Sequence, residues 1–232
     1  TTAGSERVRI DASGNVGIGT TGPSALLEAS QAATNAKILV TDTEGTGFVD
    51  PKYWTHKAAA ESAGLVTGPY MYFRAAWSGA AQAQHFFDNV GMDWKLPPTV
   101  DVENRNNLGF TKEVFAARLL ECLQKCEELF GRRPLIYTSK YMWESMVGNV
   151  PWSSLYDLWV AHYSAAATAP VLPTGWTSWQ VWQFTSTPLD TDRMKIEYWD
   201  LLFPPEPPSA AVTITLTKGT AEALHTALHN MT

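Results

Sequence analysis

Hydrophobic positions along this chain switch between two periods. Over residues 111–130 the apolar side chains Val114, Phe115, Leu119, Cys122, Leu123, Cys126 and Phe130 recur at helical spacing, and Gly131 follows as a stop. Residues 51–64 form a second predicted helix, favoured by Ala58, Ala59, Ala60 and Ala63 and closed by Gly64; residues 80–90 form a third. Between them lie short apolar runs bounded by turn residues. They read as strands at 36–41, 68–74, 98–103, 134–139, 157–163 and 178–184, with a weaker one at 194–199. One more strand at 6–10 or 14–18 brings the set to that of a closed eight-stranded barrel. Alternating strands and helices imply a parallel sheet, either closed or open and doubly wound. Gly14 to Gly19 is glycine-dense but lacks the GxGxxG spacing, which disfavours dinucleotide binding. The expected fold class is therefore α/β, a (β/α)8-like TIM-type barrel whose first strand is irregular or replaced, with a short C-terminal β-α tail.

The rest of the chain divides around that core. Residues 1–30 are rich in Gly, Ser and Thr, and residues 31–203 carry the barrel pattern. Residues 204–209 are a stiff Pro-rich linker, and residues 210–232 read as a strand and helix too small to fold alone. The tail is expected to dock on the barrel or on another chain, and the terminal segments point to self-association as a homo-oligomer.

Within the barrel pattern, Leu96-Pro-Pro-Thr-Val-Asp101-Val-Glu103-Asn104 carries the strongest chemical signal. Side chains alternate faces along a strand, so Thr99, Asp101 and Glu103 share one face and Val100 and Val102 the other. The valines are expected to pack against helices. The two acids then point inward at the strand's C-terminal end, where barrel folds place their chemistry. Residues two apart on one face are roughly 6–7 Å apart. Flexible side chains bring such carboxyls within the range of about 5–9 Å used by glycosidases. Mutual repulsion raises one pKa, leaving a proton donor beside a carboxylate. A solvated strand end or a metal site would show the same two residues; no HxH or HExxH spacing accompanies them, and no metal or other cofactor is expected.

Composition narrows the ligand further. The 232 residues carry a formal net charge of −6 with no Lys/Arg cluster, so no nucleic-acid partner is expected. Ten Trp are available both to fill a core and to stack on sugar rings. No apolar run reaches the roughly 18 residues of a membrane span. Cys122 and Cys126 lie one helical turn apart and read as free, partly buried thiols.

Several segments, in order, resemble family 25 glycoside hydrolases, the Chalaropsis-type lysozymes. They are Asp42-Thr-Glu44-Gly-Thr-Gly47-Phe-Val-Asp50, Gly68-Pro-Tyr70-Met-Tyr72-Phe-Arg74, Leu96 to Glu103, Arg133-Pro-Leu-Ile-Tyr137-Thr-Ser139, Leu158-Trp-Val-Ala-His162-Tyr163, Leu172-Pro-Thr-Gly-Trp176 and Trp179-Gln-Val-Trp182-Gln183-Phe184. The resemblance spans residues 36–200. It implies a barrel and a muramidase that cuts the β-1,4 bond between N-acetylmuramic acid and N-acetylglucosamine of bacterial peptidoglycan. On that resemblance Glu103 is the general acid. Asp101 assists the substrate's N-acetyl group or stabilises the cationic intermediate. Tyr70, Tyr72, Tyr137 and Gln183 line the cleft, although each tyrosine fits a core role as well. Glu44 either binds a sugar hydroxyl or caps the helix at 51–64. His162 reads as a satisfied core histidine.

Three departures from the family pattern stand out. Its first-strand Asp has a counterpart only in Asp11, within Glu6 to Pro23, a stretch that equally resembles phage tail-fibre proteins. Asp11 either completes the site or belongs to a fibre-like element, with residues 24–33 a candidate first helix. Lys195 falls where the family has a last-strand Asp, and Asp190 or Asp192 are candidate substitutes. Met71 stands where His is frequent. The expected function is peptidoglycan hydrolysis by a protein carried on a phage particle or released to the cell wall. The alternative is a wall-binding or structural tail protein with a catalytically weakened barrel.

Overall fold

The computed structural model describes residues 8–10, 16–18, 27–29, 37–164, 166–187 and 190–204. Its centre is an eight-stranded sheet in the order β11-β10-β9-β8-β7-β6-β4-β5. The strands are β4 (Lys37–Glu44), β5 (Phe48–Val49), β6 (Val66–Tyr72), β7 (Thr99–Asp101), β8 (Leu135–Ser139), β9 (Asp157–Ala161), β10 (Val181–Thr185) and β11 (Thr191–Met194). From β4 to β10 neighbours pair in parallel, while β5 and β11 add antiparallel edges. The sheet is open: among the described residues β5 and β11 end it without pairing to each other. The expected closed barrel is corrected in this respect. Neither candidate first strand, 6–10 or 14–18, joins this sheet. β1 (Val8–Ile10), β2 (Val16–Ile18) and β3 (Leu27–Ala29) form a separate three-stranded sheet, and β3 lies where a first helix was expected.

Helices α1 (Tyr53–Ser62), α2 (Gly79–Val90), α3 (Lys112–Phe130) and α4 (Lys140–Met146) follow their strands as the β/α alternation requires. Thr111 caps α3 by accepting from the Val114 N–H, and Gly131 ends it in the left-handed conformation, φ +63°. Gly79 lets α2 lie close on α3: a Cβ there would sit 2.0 Å from the Arg118 carbonyl oxygen. These helices cover one sheet face. Met71, Val100, Val102, Ile136, Leu158, Val160 and Trp182 meet Phe86, Phe115, Leu119, Leu123 and Trp143 there in a single core. Cys122 and Cys126 are buried free thiols on that side of α3, with Cys122 Sγ 3.9 Å from Met71 Sδ. Met71 thus faces the helices.

The opposite face is divided along the strands. Toward their amino ends, Leu135 and Val181 pack with Tyr198 of α5 (Ile196–Leu202), joined by Trp159, Met194 and Leu202. The predicted strand at 194–199 is therefore mostly helix. Tyr198 and Leu202 stand one turn apart, about 6 Å along a helix where a strand would separate them by about 13 Å, so both reach one patch. Toward the carboxyl ends this face carries the acids. The tail at 210–232 and residues 205–209 of the linker lie outside the described residues.

Candidate active site

Parallel pairing aligns one residue from each strand into a row across the sheet. Glu44 stands beside Tyr72, Tyr72 beside Asp101, Asp101 beside Tyr137, and Tyr137 beside Trp159. A bulge at Asp42 in β4 sets this register: Thr41 pairs with Tyr70, but Thr43 with Met71. Bulges re-aim the side chains that follow them. Here the bulge brings Glu44 level with Tyr72. Thr99 and Tyr70 form the step below.

Beyond Asp101 the strand geometry continues for two more residues. The Val102 N–H donates to the Tyr137 carbonyl at 2.9 Å, and the Val102 carbonyl accepts from Thr138 Oγ1 at 2.9 Å. Val102 enters the helix-side core, so Glu103 returns to the face of Asp101. Asn107 then holds the loop. Its Nδ2 donates to the carbonyls of Glu103 at 2.8 Å and Phe73 at 2.7 Å, and its Oδ1 accepts from the Ala75 N–H at 2.8 Å. This buried amide ties the end of β7 to the end of β6.

The two acids differ in environment. Asp101 is 8% exposed, and its Oδ1 is buried without a hydrogen-bond partner among the described residues. Burial pushes its pKa well above the ordinary carboxylate value; the charges of Glu103 and Glu44 add to this, and Arg105 opposes it. Glu103 is half-buried. Burial raises its pKa too, with Arg105 again opposing and Asp190 reinforcing the rise. Both carboxyls therefore retain protons better than free ones.

Polar groups flank the pair on both sides. The Tyr72 hydroxyl donates to the Arg105 carbonyl at 3.1 Å, and its pKa is pushed up to about 12 by burial, then by Asp101 and Glu103. Glu44 forms ion pairs with Arg74 and, at 2.8 Å, with Arg105. The alternative of Glu44 as a helix cap is thereby corrected, since the N-cap of α1 is Lys52 and no side chain caps it. On the other side the Tyr137 hydroxyl donates to Gln183 Oε1 at 2.7 Å, and Tyr163 donates to the same oxygen at 3.0 Å. Asp192 pairs with Gln183 across β10 and β11 and accepts from Trp159 Nε1 at 2.6 Å. Although the residue is exposed, desolvation of its carboxyl raises the pKa to about 6, with the Trp159 bond pulling the other way.

The structure thus brings Asp101, Glu103, Glu44, Tyr72, Tyr137 and Gln183 together, with the half-buried Tyr70 one step below. Asp11 lies outside the described residues. Lys195 is not in the cleft. It begins α5 at the amino ends of the strands, with Nζ 2.8 Å from Ser178 Oγ and 5.0 Å above the Trp179 ring. His162 is half-buried, stacked on Trp182, with Nδ1 accepting from the Val171 N–H at 3.4 Å. Sequence reasoning missed Arg74, Arg105, Asn107, Trp159 and Tyr163. Period-two alternation from Tyr72 would have reached Arg74, and along β9 it links Trp159 to Tyr163. Among the described residues no group of three His, Cys, Asp or Glu side chains is arranged to hold a metal ion, and no helix is long and apolar enough to cross a membrane.

Two carboxyls at the carboxyl ends of a parallel sheet, flanked by tyrosines and an amide, are groups of the kind that glycoside hydrolysis uses. Comparison with known proteins agrees. The profile of the glycosyl hydrolases family 25 matches residues 30–192. Lysozyme M1 of Streptomyces globisporus is 28% identical over 158 residues, 62% of this chain and 52% of that enzyme. This chain thus spans about half the length of that relative. A muramidase from Trichobolus zukalii aligns with a TM-score of 0.65 at 30% identity, covering 72% of this chain and 86% of that one. A muramidase from Acremonium alcalophilum gives 0.65 at 26% identity, covering 72% and 87%. The chain belongs to glycosyl hydrolases family 25.

Proposed function

We propose that the chain is a muramidase that cleaves the β-1,4 bond between N-acetylmuramic acid and N-acetylglucosamine in peptidoglycan. The observation that carries this reading is the unequal acid pair, with Asp101 buried and, among the described residues, unpartnered at Oδ1, and Glu103 nearer solvent. Family membership and the muramidase relatives support it.

Burial raises the pKa of both acids. Substrate then divides them. A sugar over Glu103 excludes water and raises its pKa further, while an acetamido N–H hydrogen-bonded to Asp101 Oδ1 lowers that of Asp101. The proton then resides on Glu103. Glu103 gives it to the glycosidic oxygen as the bond to the anomeric carbon breaks. The acetamido carbonyl oxygen closes on that carbon, and the Asp101 carboxylate stabilises the resulting cationic ring through its N–H. Glu103, now ionised, takes a proton from the water that opens the ring and restores the acid. Tyr70, Tyr72, Tyr137 and Gln183 line the cleft, and Glu44 orders its β4 edge through Arg74 and Arg105.

The test is Glu103→Gln. Reducing-sugar release from purified peptidoglycan should fall by about 10²–10⁴ while the folded spectrum is kept; unchanged release would overturn the assignment. The alternative is a wall-binding barrel with weakened activity; Lys195, the departure from the family's last-strand Asp, stands at the amino ends of the strands. The cell wall is the site of action on this reading. Carriage by a phage particle rests on the tail-fibre likeness of Glu6 to Pro23, all of which precedes the family match beginning at residue 30.

A further inference from the structure

The two ends of the acid row differ in charge. On the β4 side Arg74 and Arg105 share one carboxylate, Glu44. On the β11 side stand Asp190 and Asp192, the first acting on Glu103 and the second bonded to Trp159. Of the two arginines, Arg105 is the outer one, with a side chain 63% exposed against 15% for Arg74. Its base is fixed, because its carbonyl accepts the Tyr72 hydroxyl and its guanidinium lies 4.8 Å from the Tyr72 ring centre. Among the described residues the guanidinium is ion-paired to Glu44 through Nη2 alone. A guanidinium is a planar fork of five donors suited to holding carboxylates two N–H groups at a time. Much of this fork faces solvent beside the acids.

An acidic cleft repels an anionic sugar unless a cation offsets it. N-acetylglucosamine and N-acetylmuramic acid share the ring and the acetamido group, so neither Asp101 nor Glu103 distinguishes them. They differ by the lactyl ether. Its carboxyl is free in peptide-stripped glycan. In peptide-bearing strands it is amide-linked, and the stem peptide supplies carboxylates instead.

We propose that Arg105 is a specificity-determining residue that binds a carboxylate carried by the muramyl residue and so favours muramyl glycan over a neutral N-acetylglucosamine polymer. This rests on the muramidase reading. Arg105 also acts on the charges of both acids, so its removal alters turnover on every substrate. The informative quantity is therefore the ratio between substrates at one pH.

The experiment compares wild type, Arg105→Gln and Arg105→Lys on peptide-stripped glycan strands, peptide-bearing strands and chitin oligosaccharides. Reducing-end release gives kcat/KM, and affinity for the same three in the Glu103→Gln background covers slow substrates. Arg105→Gln should lose about tenfold more on stripped glycan than on chitin oligosaccharides, the size of a charged hydrogen-bonded contact. Arg105→Lys should recover part of it, since it restores charge without the fork. A larger loss on peptide-bearing strands would assign the carboxylate to the stem peptide; equal proportional loss on all three would overturn the proposal. Absence of wild-type turnover on every substrate would instead defeat the muramidase reading. The affinities would then decide Arg105 separately, with equal weakening for charged and neutral glycans counting against it.

Discussion

The two faces of the central sheet are built by the same strands and differ in almost everything else. On the helix side, Met71, Val100, Val102, Ile136, Leu158 and Val160 are fully buried in one apolar core. There each buried Å² of apolar surface contributes roughly 25 cal/mol. One residue along in either direction, Tyr72, Asp101, Glu103 and Tyr137 occupy the other face. Burial there raises acid pKa values and leaves a carboxyl oxygen of Asp101 without a partner among the described residues. At the carboxyl ends of the strands stability and chemistry are thus divided by residue parity, while toward the amino ends Leu135 and Val181 keep the second face apolar as well.

Substitutions on the two faces should dissociate fold from activity. The largest effect is expected from Glu103→Gln, which should cost about 10²–10⁴ in kcat by removing a general acid. Its melting temperature should stay near wild type; a large drop would mean that Glu103 also holds the fold. Ile136→Ala should show the reverse, a loss of about 2–5 kcal/mol from a core cavity. Denaturant unfolding reads it, and kcat of the folded fraction should barely move.

Asp101→Asn sharpens the comparison through pH. The folded chain binds the Asp101 proton more tightly than the unfolded chain, because burial and then Glu103 raise its pKa. That favourable contribution is complete below the unfolded value of about 3.9 and is lost as pH rises through the folded one. The Asn variant has no such loss. Its melting temperature relative to wild type should rise with pH, by a few degrees, and the gain should disappear as pH falls toward about 3.9. A difference independent of pH would break the assignment of strain to the carboxyl. The smallest effect concerns Asp192. Its titration near pH about 6, in contact with the Trp159 indole, should give a small fluorescence step that Asp192→Asn abolishes.

Much of this was legible in the sequence, for reasons that mark the limits. Helix α3 could be read to its ends because Thr111, the apolar spacing and Gly131 are local signals. The acid pair was readable because period two is local as well. Closure was not. Whether a parallel sheet meets itself depends on contacts between distant segments, and the actual edges are short antiparallel additions, Phe48–Val49 and Thr191–Met194. The segment after Met194 alternates well enough for a strand, yet its helical spacing suits the patch formed by Leu135 and Val181. The grip of Asn107 on Glu103, Phe73 and Ala75 depends on how two loops meet, which no single stretch of sequence encodes.

The row from Glu44 to Trp159 draws one residue from each of five neighbouring strands at the same height. A slip of one position in any of them would exchange the faces of that strand. In β7 the slip would send Asp101 among the helices and bring a valine to the cleft. The molecule that lost its acid would also carry an unpaired charge into its core, a severe penalty. Mispaired chains therefore disqualify themselves as folded protein, and the pattern that sets the chemistry also proofreads the assembly.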